Sequence, residues 1–294
     1  FMGPKGFWKN LYEPLIRRSA GLGKPPKNFR SKSTHQYHNT DVVIIGGGLS
    51  GLAAAKKFIN TKYKVLLIEQ DSYLGGVLKN SNKVKTINGL TPQEWISETE
   101  ELILNSKNIT LLKNTLVTTY NFTNHLIALE DKFTGKKIDL NKSELTLHKI
   151  RTSNTIIANG HIERFISFRN NDLPGVMLAS SFEKYIHRYG VVPEKEPVIF
   201  TNNSSSLSLL KKLISLGCKP KAYVDYRKKD NIETEIKKIL KDKKIPFFSD
   251  AEIEGCDGNK KVETITIRQG KSFNKLKSSM LCVSGGYNPD IHLF

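Results

Sequence analysis

Cysteine is scarce in this chain. Three occur in 294 residues, Cys218, Cys256 and Cys282, and no two are spaced as CxxC. Paired-thiol redox chemistry and a cysteine-rich metal site are therefore excluded, and a reducing, cytoplasmic compartment is the expectation. Long apolar runs are also missing. Nothing approaches the roughly 20 residues that a membrane helix needs. Lys5, Lys9, Arg17 and Arg18 interrupt any leader-like stretch at the start. Acidic residues are few, 28 against 46 Lys and Arg, which leaves a formal charge of +18. The lysines are spread along the whole chain, so they read as solvated faces. No nucleic-acid motif accompanies them, and an acidic partner or nucleotide phosphates are the sharper alternative. No nucleophile motif, metal-ligand spacing or convincing general base stands out. The seven histidines are scattered, and His161 reads as a loop residue.

A βαβ pattern is present. Residues 41–45 (DVVII) are short, apolar and β-branched, as in a buried parallel strand. Residues 49–60 read as a helix and 64–68 as the next strand. Between the first strand and the helix lies Gly46-Gly47-Gly48-Leu49-Ser50-Gly51, which satisfies GxGxxG. Each motif glycine has a distinct task. Gly46 permits a tight turn, Gly48 lets the backbone approach a pyrophosphate, and Gly51 lets helix and strand pack closely. The amides near Leu49 and Ser50 would face the phosphates, with the helix dipole behind them. Glu69, beside Gln70, ends the second strand and would accept hydrogen bonds from an adenosine ribose. A carboxylate there favours NAD or FAD over NADP. Gly75 and Gly76 follow closely and allow a second close approach to the cofactor, with a plain turn as the alternative.

Other elements are legible. Residues 7–20 form a helix that Pro14 ends or kinks, 21–26 a linker, and 27–40 a basic extended arm. Thr91, Pro92 and Glu94 spell a capping box at a helix start. Short strands at 109–112, 116–120 and 126–129 suggest a meander, and 155–158 a buried strand ending at Asn159-Gly160. A second βαβ unit follows: a helix at 179–189, strand 197–201, helix 206–216 and strand 221–225. Helix 232–241 and strands 261–268 and 279–284 complete the pattern. The second unit's loop, Thr201-Asn202-Asn203-Ser204-Ser205-Ser206, contains no glycine. It reads as a degenerate nucleotide fold, although Asp225 stands at the ribose-acid position.

Several blocks resemble a family. They are Tyr12-Glu-Pro-Leu-Ile-Arg-Arg18, Ala20-Gly-Leu-Gly23, Ile162-Glu-Arg164, Asn170-Asn-Asp172, Pro174-Gly-Val-Met-Leu-Ala-Ser180, Arg188-Tyr-Gly190, Phe200-Thr-Asn-Asn203, Val283-Ser-Gly-Gly286 and Asn288-Pro289. Together they resemble the central part of the α subunit of heterotetrameric sarcosine oxidase. Related α subunits occur in proline and opine dehydrogenases and in hydrogen cyanide synthase. Asn159, Phe165 and Tyr287 stand where that family has threonine, proline and tryptophan.

The resemblance implies an α/β fold with two Rossmann-like domains of the FAD/NAD-linked reductase type, the second inserted in the first. The expected boundaries are an arm and linker at 1–38, a first domain at 39–166 completed by 275–294, and a degenerate second domain at 167–274. Residues 279–284 would then add the first domain's last strand, with Gly286 returning to the cofactor beside Gly160. The resemblance also implies an oxidoreductase subunit acting on CH–NH donors, with β, γ and δ partners. Such a complex converts sarcosine to glycine, releases hydrogen peroxide and passes the one-carbon unit to tetrahydrofolate. FMN would lie at the α/β interface and NAD or FAD in the first domain. Amine oxidation would occur on β, and a C-terminal folate domain is missing here. The alternatives are a related amine dehydrogenase subunit or a non-catalytic nucleotide-binding scaffold. The chain is expected to be a piece of a longer polypeptide, since it opens on Phe1 and ends without a polar tail.

Overall fold

The computed structural model describes residues 6–22, 33–80, 84–121, 123–132 and 145–293. The linker residues 23–26 and arm residues 27–32 lie outside them. The N-terminal helix forms as expected, with a wide helical turn over Trp8–Tyr12 running into α1, Glu13–Ser19. Pro14 neither ends nor interrupts it. It stands where the wide turn passes into α1.

The first unit starts at β1, Ser33–Ile45, a strand of 13 residues. It continues through α2 (Leu49–Phe58), β2 (Val65–Ile68), α3 (Val77–Asn80) and α4 (Pro92–Leu104). Then come β3 (Ile109–Leu112), β4 (Thr115–Asn121), β5 (His125–Asp131) and β6 (Leu145–Ile157). The strands form one sheet in the order β3-β2-β1-β6-β5-β4. β3, β2, β1 and β6 run parallel, whereas β5 and β4 return antiparallel. The two faces of the sheet bury alternate residues. Val42, Ile44, Val65 and Leu67 pack under α2 and α4. Val43, Ile45, Leu66 and Ile68 pack on the meander residues Val117, Leu126, Ala128 and Ile150. This two-sided burial is why the strands read as unbroken apolar runs. Each fully buried aliphatic side chain contributes about 1.5–3 kcal/mol.

The start of α4 follows its sequence signal. The Thr91 hydroxyl accepts from the Glu94 amide, and the Glu94 carboxylate accepts from the Thr91 amide at 2.8 Å. The basic arm does not end where expected. Residues 33–40 belong to β1 and pair with residues 145–152 of β6. This half of the strand is held by polar neighbours. Thr34 bonds Thr146, and the His38 ring bonds His148, which bonds Glu130 in turn. β6 is correspondingly longer than the apolar 155–158 run.

A short strand, β7 (His161–Glu163), leaves the first unit. The second unit contains β8 (Val176–Leu178), α5 (Ala179–Tyr189), β9 (Val198–Thr201), α6 (Leu207–Ser215), β10 (Ala222–Asp225), α7 (Thr234–Asp242) and β11 (Phe247–Ser249). Three antiparallel strands follow, β12 (Glu252–Asp257), β13 (Thr264–Gln269) and β14 (Ser272–Lys277), and then β15 (Leu281–Ser284) and β16 (Tyr287–Pro289). The main sheet has the order β11-β10-β9-β15-β8. Its helix-covered face buries Ile199, Tyr223 and Cys282 with α5, α6 and α7. Its other face buries Phe200, Val224 and Val283 against β12 and β13. A single strand was expected at 261–268, but it is the middle of this three-stranded layer.

The strand at 279–284 corrects the sequence reading. β15 lies between β9 and β8, so it completes the second unit's sheet and adds nothing to the first. Its four residues are all buried, and a buried apolar run fits either sheet on sequence grounds. The chain returns to the first unit only afterwards. β16 pairs antiparallel with β7, the Asp290 amide donates to Gly160 at 3.1 Å, and Leu293 enters the core beneath β1 and β2. The second unit is thus inserted in the first, and the two chain crossings pair with each other.

Candidate dinucleotide site

The glycine loop sits at the carboxyl ends of β1 and β2. Gly46 has φ +100°, and a Cβ there would lie 2.3 Å from the Ala158 carbonyl oxygen at the end of β6. A Cβ on Gly51 would lie 1.7 Å from the Gly46 carbonyl oxygen, so α2 can pack on β1 only because that side chain is absent. Gly48 differs from both. A Cβ there would meet nothing within 4 Å. Gly48 is also the N-cap of α2, and no side chain caps the helix. The first-turn amides thus meet no capping side chain beside the open space at Gly48, which is the arrangement that receives an anionic group. Leu49 and Ser50 are exposed, whereas Gly51 is buried.

Glu69 is buried at the end of β2. One oxygen accepts from the Gly47 amide at 2.6 Å and the other from the Asp71 amide at 2.8 Å. Burial pushes its carboxyl above the ordinary glutamate range, and the two backbone donors pull against that. Each carboxylate oxygen keeps a second lone pair for a ribose hydroxyl. Gln70 follows with an exposed side chain. Gly75 donates to the Gly47 carbonyl at 2.8 Å. Its φ is +106°, and a Cβ would lie 2.4 Å from Ile96. Gly76, with φ +50°, faces Gly48, since its Cβ would stand 3.3 Å from the Gly48 Cα. The structure thus brings Gly46, Gly48, Leu49, Ser50, Gly51, Glu69, Gly75 and Gly76 together at the carboxyl ends of β1 and β2.

Gly160 lies at the end of β6, next to the end of β1, with φ +84° and open space around it. Gly286 does not join the group. Its nearest neighbour is the Asn203 side chain, 3.7 Å from a Cβ placed there. β15 carries it to the second unit's loop, which is why the expected return to the first cofactor site fails. Sequence reading also passed over Gly47, which fills a free position of the motif. A Cβ there would lie 2.5 Å from Leu74 and 3.0 Å from Glu69. His161 lies on β7 with its ring edge-on to Tyr287 at 4.4 Å.

The second loop is built differently. Asn203 donates to the Ser284 carbonyl at 2.9 Å and accepts from the Ser205 amide at 2.8 Å. Thr201 donates to the Ser284 carbonyl at 3.0 Å, and Ser206 bonds the buried Tyr223 hydroxyl at 2.8 Å. Asp225 is fully buried, and its carboxylate is gripped by Arg227 through Nε at 3.1 Å and Nη2 at 2.9 Å. Arg227 also reaches Ser204 at 3.1 Å, and Ser204 bonds Glu233. The loop's polar groups are spent on one another. The three cysteines are buried and free, and burial pushes Cys256 up to about 11 and raises Cys282 as well, so neither of these two is poised as a thiolate. Among the described residues no helix is long and apolar enough to cross a membrane.

Comparisons with known proteins agree with this geometry. Residues 41–138 match the sequence model of the FAD dependent oxidoreductase family. Sarcosine oxidase subunit alpha of Rhizobium meliloti (strain 1021) is 31% identical over 100% of this chain and 29% of its own length. The subunit of that name from Corynebacterium sp. (strain U-96) is 28% identical over 93% of the chain and 29% of its own length. The chain therefore spans under a third of the curated relatives it matches. Among solved structures, T. acidophilum thioredoxin reductase aligns with a TM-score of 0.61 at 15% identity, covering 85% of this chain and 78% of that one. That likeness concerns the fold. By sequence, the chain is a relative of sarcosine oxidase alpha subunits, built on the fold of FAD-dependent oxidoreductases.

Proposed function

We propose that the open face beside Gly48 and Gly76 binds an adenine dinucleotide, FAD or NAD, within a sarcosine oxidase-like complex. The observation that carries this is the open cradle at Gly48, where an uncapped helix start faces empty space. Gly46, Leu49, Ser50, Gly51 and Gly75 shape the phosphate end, and Gly160 lies along the path beyond it. Glu69, with Gln70 beside it, would hold the adenosine ribose. The match to an FAD dependent family supports FAD. The bound cofactor would supply the redox chemistry, and this chain's own residues bind and orient it.

The relatives are named subunits, which supports a multi-subunit assembly. In that reading the complex demethylates sarcosine to glycine, with amine oxidation on a β subunit and FMN at the α/β interface. The γ and δ subunits complete it, and tetrahydrofolate receives the one-carbon unit on a folate domain outside this chain. The compartment is cytoplasmic.

The test is mass spectrometry of the ligand released from purified protein, with Gly48→Trp as the comparison. The indole would fill the cradle, so the variant is expected to lose the dinucleotide. Apo stability should change by no more than about 1 kcal/mol, because φ is −75° and a Cβ at this position meets nothing within 4 Å. Stoichiometric adenine dinucleotide in that variant would place the site elsewhere.

A second reading has one observation in its favour. The self-filled second loop suits a scaffold that holds partner subunits, with any nucleotide structural. A cofactor that stays oxidised during turnover of the assembled complex would support that reading.

A further inference from the structure

The inserted unit touches the segment that follows Glu69 through α5 and its Arg188 side chain. Arg188 lies in the last turn of α5, and α5 packs against α3 of the first unit. Its guanidinium stacks over the Tyr73 ring at 4.4 Å and donates to the Tyr73 hydroxyl at 3.2 Å. The same group approaches the Asp71 carboxylate at 3.5 Å. Asp71 is the residue whose backbone amide donates to Glu69 at 2.8 Å, and Glu69 in turn accepts from the Gly47 amide at 2.6 Å. A continuous chain of contacts therefore runs from α5 through Asp71 and Glu69 to the glycine loop.

The parts suit this work. A guanidinium can lie over an aromatic ring and offer several N–H donors at once, here to the Tyr73 hydroxyl and toward Asp71. The Arg188 and Asp71 side chains are 27% and 30% exposed, so the contact is partly shielded from solvent. Asp71 also stands two residues from Glu69, and its charge adds to the upward push on the Glu69 carboxyl. A cation on Asp71 offsets that push. Lys79 lies over the same Tyr73 ring at 5.3 Å, so Asp71, Arg188 and Lys79 are the charged groups gathered on this segment.

We infer that Arg188 is a positioning residue for the dinucleotide site: the inserted unit clamps residues 71–73 and thereby holds Glu69 in place for the adenosine ribose. This rests on the dinucleotide reading above. The clamp acts on the adenosine half, so ADP-ribose is sufficient as a probe.

The experiment titrates ADP-ribose into the intact protein, with any partner subunits present, for the wild type, Arg188→Ala, Arg188→Lys, Asp71→Asn and the Arg188→Ala/Asp71→Asn double variant. Arg188→Ala is expected to weaken ADP-ribose roughly three- to tenfold, in the range of couplings transmitted through packed side chains. Arg188→Lys should recover part of the loss. The double variant should bind no more weakly than the worse single one, because both changes cut the same link. A merely structural role would lower the melting temperature without producing that coupling. The clamp is overturned if wild type binds ADP-ribose and Arg188→Ala binds it equally well, or if the two losses simply add. If wild type itself fails to bind, the dinucleotide reading falls instead.

Discussion

The two nucleotide-type loops occupy equivalent places, each after the first strand of a βαβ unit, yet they solve the helix start in opposite ways. The first loop spends glycine. It leaves amides uncapped beside open space at Gly48, and it brings the Glu69 carboxylate close by. The second loop spends side chains. Asn203, Ser205 and Thr201 bond within the loop and to Ser284, and Arg227 neutralises Asp225. A loop that satisfies itself gains local stability but offers little to a ligand. A loop that leaves donors unmet is completed by one.

Substitution separates the two designs. The largest effect is expected from Gly51→Val. Its Cβ would collide with the Gly46 backbone, so α2 must leave β1, at a cost of more than about 3 kcal/mol. Thermal denaturation of the apoprotein measures this. Gly48→Trp, three residues earlier, should spare the fold and remove only the ligand. Equal destabilisation by both would erase the distinction between packing glycine and binding glycine.

Asp225→Asn comes next and probes the other loop. It breaks the bond of Arg227 to its buried carboxylate, while Glu233 at 3.4 Å and the 20% exposure of Arg227 moderate the loss to about 2–3 kcal/mol. Bound dinucleotide per folded chain should not change. A parallel fall in dinucleotide content would show that the second loop takes part in binding after all.

The smallest effect concerns protons. Burial holds the Glu69 carboxyl above its usual range. Hydroxyl donors bond the charged carboxylate more strongly than the neutral acid, so ADP-ribose affinity should fall as pH drops through that raised value. The apoprotein has the opposite sign. A raised carboxyl contributes stability that is fully present below its unfolded-state value and is lost as pH rises through the folded one. Glu69→Gln should bind about tenfold more weakly at neutral pH and lose this pH dependence. Affinity titrations of both proteins between pH 4 and 7 decide it. A wild-type profile flat across that range would remove Glu69 from the ribose contact.

The sequence made the first loop legible because glycine spacing is a backbone property, and the backbone is what binds there. The capping box at Thr91 was legible for a similar reason, since its partners lie three residues apart. The N-terminal half of β1 was not. Its exposed, polar face joins the sheet through Thr34, His38 and their partners more than 100 residues away, so no apolar period marks it. β15 was visible as a strand but not by address, because four buried residues satisfy either sheet. Arg188 announced itself only as part of a family-like block. Its contact with Tyr73 spans 115 positions, beyond the reach of any local pattern.

The pairing of β7 with β16 bears on motion. The chain leaves the first unit along residues 161–163 and comes back along 287–289, and these two segments are hydrogen-bonded into one ribbon. Arg164 reinforces it by donating to the carbonyls of Gly285 and Gly286. Two independent linkers would let the inserted unit slide, twist and tilt. A single two-stranded ribbon resists shear along its length and leaves bending across it as the soft direction. The junction is therefore stiffer to shear than two separate strands of linker would be, and the α3–α5 contact that carries Arg188 ties the units together at a second place.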